Sequence, residues 1–307
     1  MSDAARNAIA TRVGGLDWGA LAPLRIRSRL VAEGLYAGAH RSVRRGAGVE
    51  FGGYREYLPG DDLRFLDRRA LLRHDRLLVR QFETETERAL RIVVDATASM
   101  SYRGKRAPAA KAAVTAVLAA ALARVVVLGG DPVGLSYIGG DVARPVRVGG
   151  GREVTERILG SLEELAPGGD ATKDGSAMLD RALGPLARAA RRGSVVVLFS
   201  DLLDLPDEAA ERVASIGLRG RAVVVVQLLD PDEEDLPFDG TVRLRGLEGG
   251  YVVETDVDTT RGQYLDALAD LRRRWSDVML ARGGRFVRAT TNEDPVAILR
   301  RTVEAIR

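Results

Sequence analysis

The sequence contains no cysteine and only two histidines, His40 and His74. Disulfide frameworks, thiolate metal sites and cysteine nucleophiles are thereby excluded, and a histidine-rich zinc site has too few ligands. Aromatic residues are scarce at 5%, which weakens any reading that needs rings interleaved with basic residues to stack nucleic-acid bases. Lysine is nearly absent as well. Lys105, Lys111 and Lys173 stand alone, and arginine carries almost all the positive charge. A GC-rich genome accounts for that bias; arginine forks for carboxylate or phosphate recognition are the alternative. There is no long uninterrupted apolar run. Ala112–Gly130 is the most apolar stretch, and Arg124 interrupts it, so no membrane span is expected. The amino terminus shows no basic start followed by an apolar core, hence no secretory signal, and a cytoplasmic location is expected.

What is present suits a large folded chain. Its 307 residues are 46% hydrophobic and 29% charged, enough to bury a substantial core, and the formal net charge is only +3. Residues 1–86 form an arginine-rich extension with glycines at 46, 48, 52, 53 and 60. From residue 87 to 307 short β-branched runs alternate with longer helical patterns. That alternation predicts an α/β fold: a doubly wound, mostly parallel, six-stranded sheet with helices on both faces, preceded by the extension. Arg91–Val94, Val195–Phe199 and Ala222–Val226 read as buried strands. Val133–Ile138 and Ala143–Arg147 read as an antiparallel edge pair, where Pro145 is tolerated. Helices are expected over Pro108–Leu128, Val154–Leu165, Ser176–Arg191, Pro206–Ile216, Thr259–Ala281 and Asp294–Ile306, with a hairpin over Val242–Val253.

The informative spot is the end of the first strand. Asp95, Thr97 and Ser99 alternate across a loop where open α/β sheets bind ligands. One carboxylate and two hydroxyls suit a hard cation, Mg²⁺ or Mn²⁺. Asp201 ends the second central strand and should face the same crevice. The loop Pro167–Thr172 offers Asp170 or Thr172.

These residues resemble a known signature. Asp95-x-Thr97-x-Ser99 is similar to the Asp-x-Ser-x-Ser sequence of the metal-ion-dependent adhesion site in von Willebrand factor A domains, with Thr97 in place of the first serine. The resemblance implies that the hydroxyls of Thr97 and Ser99 bind the metal, with a second-loop threonine and the third-loop Asp201 completing the site. Thr172 fills the threonine's role only with an offset, because Asp170 directly follows Gly168-Gly169; either residue remains open as the second-loop ligand. Further motifs narrow the likeness: His40-Arg41-Ser42, Arg45–Phe51, Arg55–Arg64 with Tyr57-Leu58-Pro59-Gly60-Asp61-Asp62 at its centre, Arg73–Leu77, Arg80–Glu83, Leu229-Asp230-Pro231, Pro237-Phe238 and Leu247–Gly250. In that order they resemble the domain-of-unknown-function family fifty-eight; Arg68 departs from the family's usual tryptophan. The resemblance implies a partner of a MoxR-type AAA+ ATPase, acting as an adaptor.

The expected function is therefore a metal-dependent protein-binding module, not an enzyme. A partner carboxylate would complete the coordination of one Mg²⁺. Two alternatives remain. A metal-dependent phosphohydrolase with Asp95 as nucleophile lacks the second aspartate two residues on and a visible general base. Nucleic-acid binding through Arg68, Arg69, Arg73, Arg76 and Arg80 lacks interleaved aromatics. Glu50, Arg55, Asp61, Asp62 and Arg64 are expected to form a buried charge network in the extension. Val148–Gly151 lacks the Gly-Lys-Ser/Thr ending of a phosphate loop, and His40 and His74 read as structural.

Overall fold

The computed structural model describes residues 12–13, 16–21, 23–39, 50–56, 78–83, 89–140, 143–218 and 220–306; for 12–13, 38–39, 50–56 and 78–83 the description covers the backbone. In chain order the elements are β1 (Arg12–Val13), β2 (Leu16–Asp17), α1 (Leu24–Ala39), β3 (Glu50–Glu56), β4 (Leu78–Glu83), β5 (Leu90–Ala96), α2 (Lys111–Leu128), β6 (Val133–Gly139), β7 (Val146–Gly149), α3 (Gly151–Glu163) and α4 (Ala171–Ala189). They continue with β8 (Val195–Ser200), α5 (Ala209–Ser215), β9 (Ala222–Leu229), α6 (Pro231–Asp235), β10 (Thr241–Arg245), β11 (Val252–Asp256), α7 (Val257–Ala281), β12 (Arg285–Thr290) and α8 (Pro295–Ile306).

Six strands form one sheet in the order β12-β9-β8-β5-β6-β7. Every neighbouring pair is parallel except the antiparallel edge pair β6–β7. The strands are β-branched because both faces are covered. Along β8, Val197 and Phe199 enter one core and Val196 and Leu198 the other; β9 splits its valines the same way. Helices α1, α2, α3 and α8 contribute to the first core and α4, α5 and α7 to the second. The chain runs from β5 to β6 on one side and later returns as β8 on the other. The carboxyl ends of β5 and β8 therefore flank the switch point of the sheet, where side chains from separate loops converge.

Helix α2 explains the apolar stretch noted in the sequence. By length and composition it could cross a membrane, Arg124 notwithstanding, because the interruption is a single residue. Here Lys111 through Ala123 are all buried, so α2 is the central helix of the first core.

The compact units divide differently from the sequence reading. One comprises Met1–Gly38 with Arg88–Arg307, the other Ala39–Glu87. Residues 16–38 group with the sheet because Leu24, Val31, Ala32 and Leu35 make a helical stripe that joins the first core, together with Leu16, Trp18 and Leu21. Tyr36 Oη donates to the Val125 carbonyl at 2.9 Å and Arg103 pairs with Asp17 at 2.9 Å. In the smaller unit, β3 and β4 pair antiparallel from Glu50↔Glu83 to Glu56↔Leu78, with a register shift between Phe51 and Gly53. The predicted charge network at 50, 55, 61, 62 and 64, the arginines at 68–80 and both histidines fall on side chains outside the described ones. Strand β12 was not expected from the sequence. It is an edge strand whose outward arginines, Arg285 and Arg288, dilute the apolar signal.

Candidate metal centre

Strand β5 delivers Asp95 to the crest of the sheet, and a short 3₁₀ turn, Ala98–Ser101, follows at once. The turn brings alternate side chains together. Thr97 N donates to Asp95 Oδ1 at 3.0 Å, Thr97 Oγ1 donates to the same oxygen at 2.7 Å, and Thr97 Oγ1 lies 3.1 Å from Ser99 Oγ. From β8, Ser200 Oγ donates to Asp95 Oδ2 and in turn accepts from Leu202 N at 2.9 Å. Asp95, Thr97, Ser99, Ser200 and Asp201 are all buried. Leu202, directly after Asp201, is non-glycine with φ 66°, a strained conformation at the point where the loop turns over the site.

The loops interlock through backbone. Gly168 N donates to the Ala96 carbonyl at 2.8 Å and Gly140 N to the Gly168 carbonyl at 3.0 Å. Gly139, at φ +69°, has room for no side chain: a Cβ there would stand 3.0 Å from Thr97 Cγ2 and 3.1 Å from the Gly168 carbonyl oxygen.

Asp201 is held from below. Its carboxylate accepts from Lys111 Nζ at 2.7 Å and from Leu203 N at 3.2 Å, and its carbonyl accepts from Gln227 Nε2 at 3.1 Å. Lys111 is fully buried and also donates to Glu233 at 2.5 Å. Burial opposes the ammonium, yet Asp201 and Glu233 together hold its pKa above the ordinary lysine value. Burial, with Asp201 adding to it, pushes Glu233 upward in spite of that lysine.

Asp95 is in a different position. Among the described residues its carboxylate meets hydroxyls and a backbone amide and no cation. Burial, and then the charge of Asp201, push it up to about 7 against those hydrogen bonds. Asp204, half-buried nearby, is pushed up to about 6 by burial, Glu248 and Asp201. The crest therefore carries more buried negative charge than Lys111 balances. Oxygen-only donors and surplus negative charge fit a hard divalent cation. No group of three or more His, Cys, Asp or Glu gathers as a metal site among the described residues; at this crest hydroxyls stand in for carboxylates.

Four of the residues predicted from sequence converge here: Asp95, Thr97, Ser99 and Asp201. Thr172 and Asp170 stand on the second loop, bonded to each other and, through Asp170, to Gly249. Asp170 caps α4, accepting from Thr172 N at 3.1 Å and from Thr172 Oγ1, and it also meets Lys173 Nζ at 2.9 Å. Thr172 and Lys173 draw the Asp170 carboxyl down to about 2. Both side chains take part in a local helix cap, which sequence spacing cannot distinguish from ligation.

The side chain that bridges the first and second loops is instead Glu248, from the turn between β10 and β11. Its Oε1 accepts from Ser99 N at 3.1 Å and its Oε2 from Ala171 N at 2.6 Å. Sequence reasoning does not single out Glu248, Lys111, Glu233 or Ser200 as site residues. The available signals are Lys111, one of only three lysines and at the head of an alanine-rich helix, and the Leu247–Gly250 motif that contains Glu248. Beyond the crest, Asp230 and Asp232 accept from Gly104 N and Lys105 N at 2.8 and 3.0 Å, fixing the loop that follows Ser99.

These features define a six-stranded α/β protein with an oxygen-lined polar centre at the topological switch of its sheet. The chain belongs to the family described as protein of unknown function DUF58, whose profile matches residues 53–274. A relative of similar length is an uncharacterized protein of Mycobacterium tuberculosis, 28% identical over 94% of this chain and 89% of its own. Among solved structures the chain is similar to an aerotolerance-related membrane protein from Bacteroides fragilis, at 18% identity and TM-score 0.44 over 71% of this chain and 98% of that one. It is also similar to a von Willebrand factor type A protein from Catenulispora acidiphila, at 14% identity and TM-score 0.37 over 74% and 43% of the two chains. The fold assignment rests on the sheet itself.

Proposed function

We propose that this protein is a metal-dependent protein-binding module, an adaptor or partner of a MoxR-type AAA+ ATPase acting in the cytoplasm. The observation that carries the reading is the buried Asp95 carboxylate, which meets no basic side chain among the described residues and is set beside Asp201 and among the hydroxyls of Thr97, Ser99 and Ser200. Mg²⁺ or Mn²⁺ would be held by Thr97 and Ser99, with Asp95 and Asp201 supplying the negative charge. When bound, the ion supplies a positive charge at the crest that an acidic side chain of a partner can neutralise. The protein's own groups set the stage: Lys111 fixes Asp201, Ser200 and Thr97 orient Asp95, and Gln227 anchors the β8 loop. The MoxR-type partner and the cytoplasmic location come from the family resemblance and the sequence.

No enzymatic turnover belongs to this proposal. Asp95 accepts from Thr97 and Ser200, which orients it as a holding group, and Thr97 stands two residues on, where a phosphohydrolase of the haloacid type would need a second aspartate. The purified protein is expected to leave phosphate esters intact with or without Mn²⁺. Metal-dependent hydrolysis lost in Asp95→Asn would establish the phosphohydrolase alternative instead.

Docking is tested with a MoxR-type ATPase from the same organism. Its complex with this protein is expected to form in Mg²⁺, to dissociate in excess chelator, and to weaken about tenfold or more in Ser99→Ala. A complex equally stable in chelator would end the metal-dependent docking reading.

A further inference from the structure

The hairpin of β10 and β11 stands apart from the main sheet as a two-stranded sheet of its own, paired from Thr241↔Asp256 to Arg245↔Val252. Both of its faces are largely open, and Leu244, Leu247, Tyr251, Val252 and Val253 are 36–54% exposed. A two-stranded ribbon with no core beneath it is only marginally stable by itself. Its turn is nevertheless buried at one residue: Glu248 is 2% exposed, while Leu247 beside it is 46% exposed.

What holds Glu248 is a pair of backbone amides from two different loops. Ser99 N comes from the loop after β5 and Ala171 N from the first turn of the long helix α4. Two amides, each on one carboxylate oxygen, recognise the planar fork of a carboxylate. A third bond, Gly249 N to Asp170 Oδ2 at 3.1 Å, fastens the next residue of the turn. Gly249 and Gly250, at φ +69° and +64°, let the chain fold back tightly enough to deliver the side chain. Among the described residues the carboxylate is buried on these two amides, although an exposed hairpin could have kept it in water.

We propose that the Ser99 and Ala171 amides form a carboxylate-binding site, which Glu248 fills in the free protein and an acidic side chain of a partner protein fills in the complex. The hairpin is then a self-docked arm. When it lifts, its exposed apolar residues and the vacated amides become available together, so the partner segment that fits carries a Glu or Asp flanked by apolar side chains. This inference rests on the binding-module reading for its biological sense, but its physical content does not require the metal.

The test is chemical rescue followed by hydrogen exchange on the full chain. In Glu248→Ala the Ser99 and Ala171 amides and the turn 246–251 should exchange about tenfold faster or more, with strand Val195–Ser200 unchanged. Excess acetate, against chloride at equal ionic strength, should restore protection of the two amides several-fold in Glu248→Ala and leave the wild type unaffected. Glu248→Gln keeps the side-chain shape and should show the same faster exchange with a weaker response to acetate. Equal responses to acetate in wild type and Glu248→Ala, or unchanged exchange at Ser99 and Ala171 in both variants, would overturn the proposal. Repeating the rescue with Mn²⁺ separates the two readings: stronger rescue supports both, and rescue indifferent to Mn²⁺ keeps the carboxylate site while counting against the cation.

Discussion

Lys111→Met is expected to destabilise the protein by about 3–5 kcal/mol, because it leaves two carboxylates without their buried cation. The ammonium is fully buried, 2.7 Å from Asp201 and 2.5 Å from Glu233, and its removal uncovers charge at the centre of the fold. Methionine fills a similar volume, so the loss measures charge more than packing. Much of the cost should be recovered when Asp201→Asn and Glu233→Gln are added, since the remaining groups are then neutral. Denaturant unfolding of the single and triple variants measures it. A single variant as stable as wild type would show that the lysine does not carry the charge balance assigned to it.

The second large effect is on pH dependence. In the metal-free protein Asp95 has a folded-state pKa of about 7, above its ordinary value, with burial as the main cause and Asp201 next. A carboxyl raised in the folded state binds its proton more tightly there than in the unfolded chain. Its contribution to stability is fully present at acidic pH and is lost as pH rises from the ordinary carboxylate range through about 7. Each tenfold difference in proton affinity between the folded and unfolded chain is worth about 1.4 kcal/mol, so the effect is on the order of a few kcal/mol. Without metal, wild type should therefore lose thermal stability relative to Asp95→Asn between about pH 5 and pH 8, and Asp95→Asn should be the more stable at the upper end. Mn²⁺ should reverse that ranking by stabilising only the wild type. Parallel melting curves for the two proteins across this range would show that Asp95 is not strained by its burial.

The part of the centre that is legible in the sequence is the part set by strands. Val93, Val94, Val196 and Val197 mark two buried parallel strands, and a buried strand must present its next polar residues at the sheet's end, so Asp95 and Asp201 meet. The edge pair β6–β7 is legible as an antiparallel pair, but β7 starts at Val146, after Pro145, and runs to Gly149 rather than over Ala143–Arg147. What is hidden depends on contacts between residues far apart in the chain. Glu248 lies 149 residues from Ser99, on a hairpin whose alternation records only its own pairing. Lys111 reads locally as the start of a helix, and its partners come from the loop after β8 and from helix α6 after β9. The part played by Asp170 and Thr172 is hidden for a local reason, since the oxygen that could face a cation also caps a helix. The first helix, α1, escapes sequence reading because arginines on its outer face mask the stripe of Leu24, Val31 and Leu35 that joins it to the core.

Titration of Mn²⁺ into metal-free protein, followed by calorimetry, tests the central claim most directly, with wild type and Asp95→Ala compared side by side. The account predicts one saturable site in the wild type, weak because few charged ligands are supplied, and its loss in Asp95→Ala while the melting cooperativity of the fold is retained. Equal Mn²⁺ binding by the two proteins, or none by either, would contradict it.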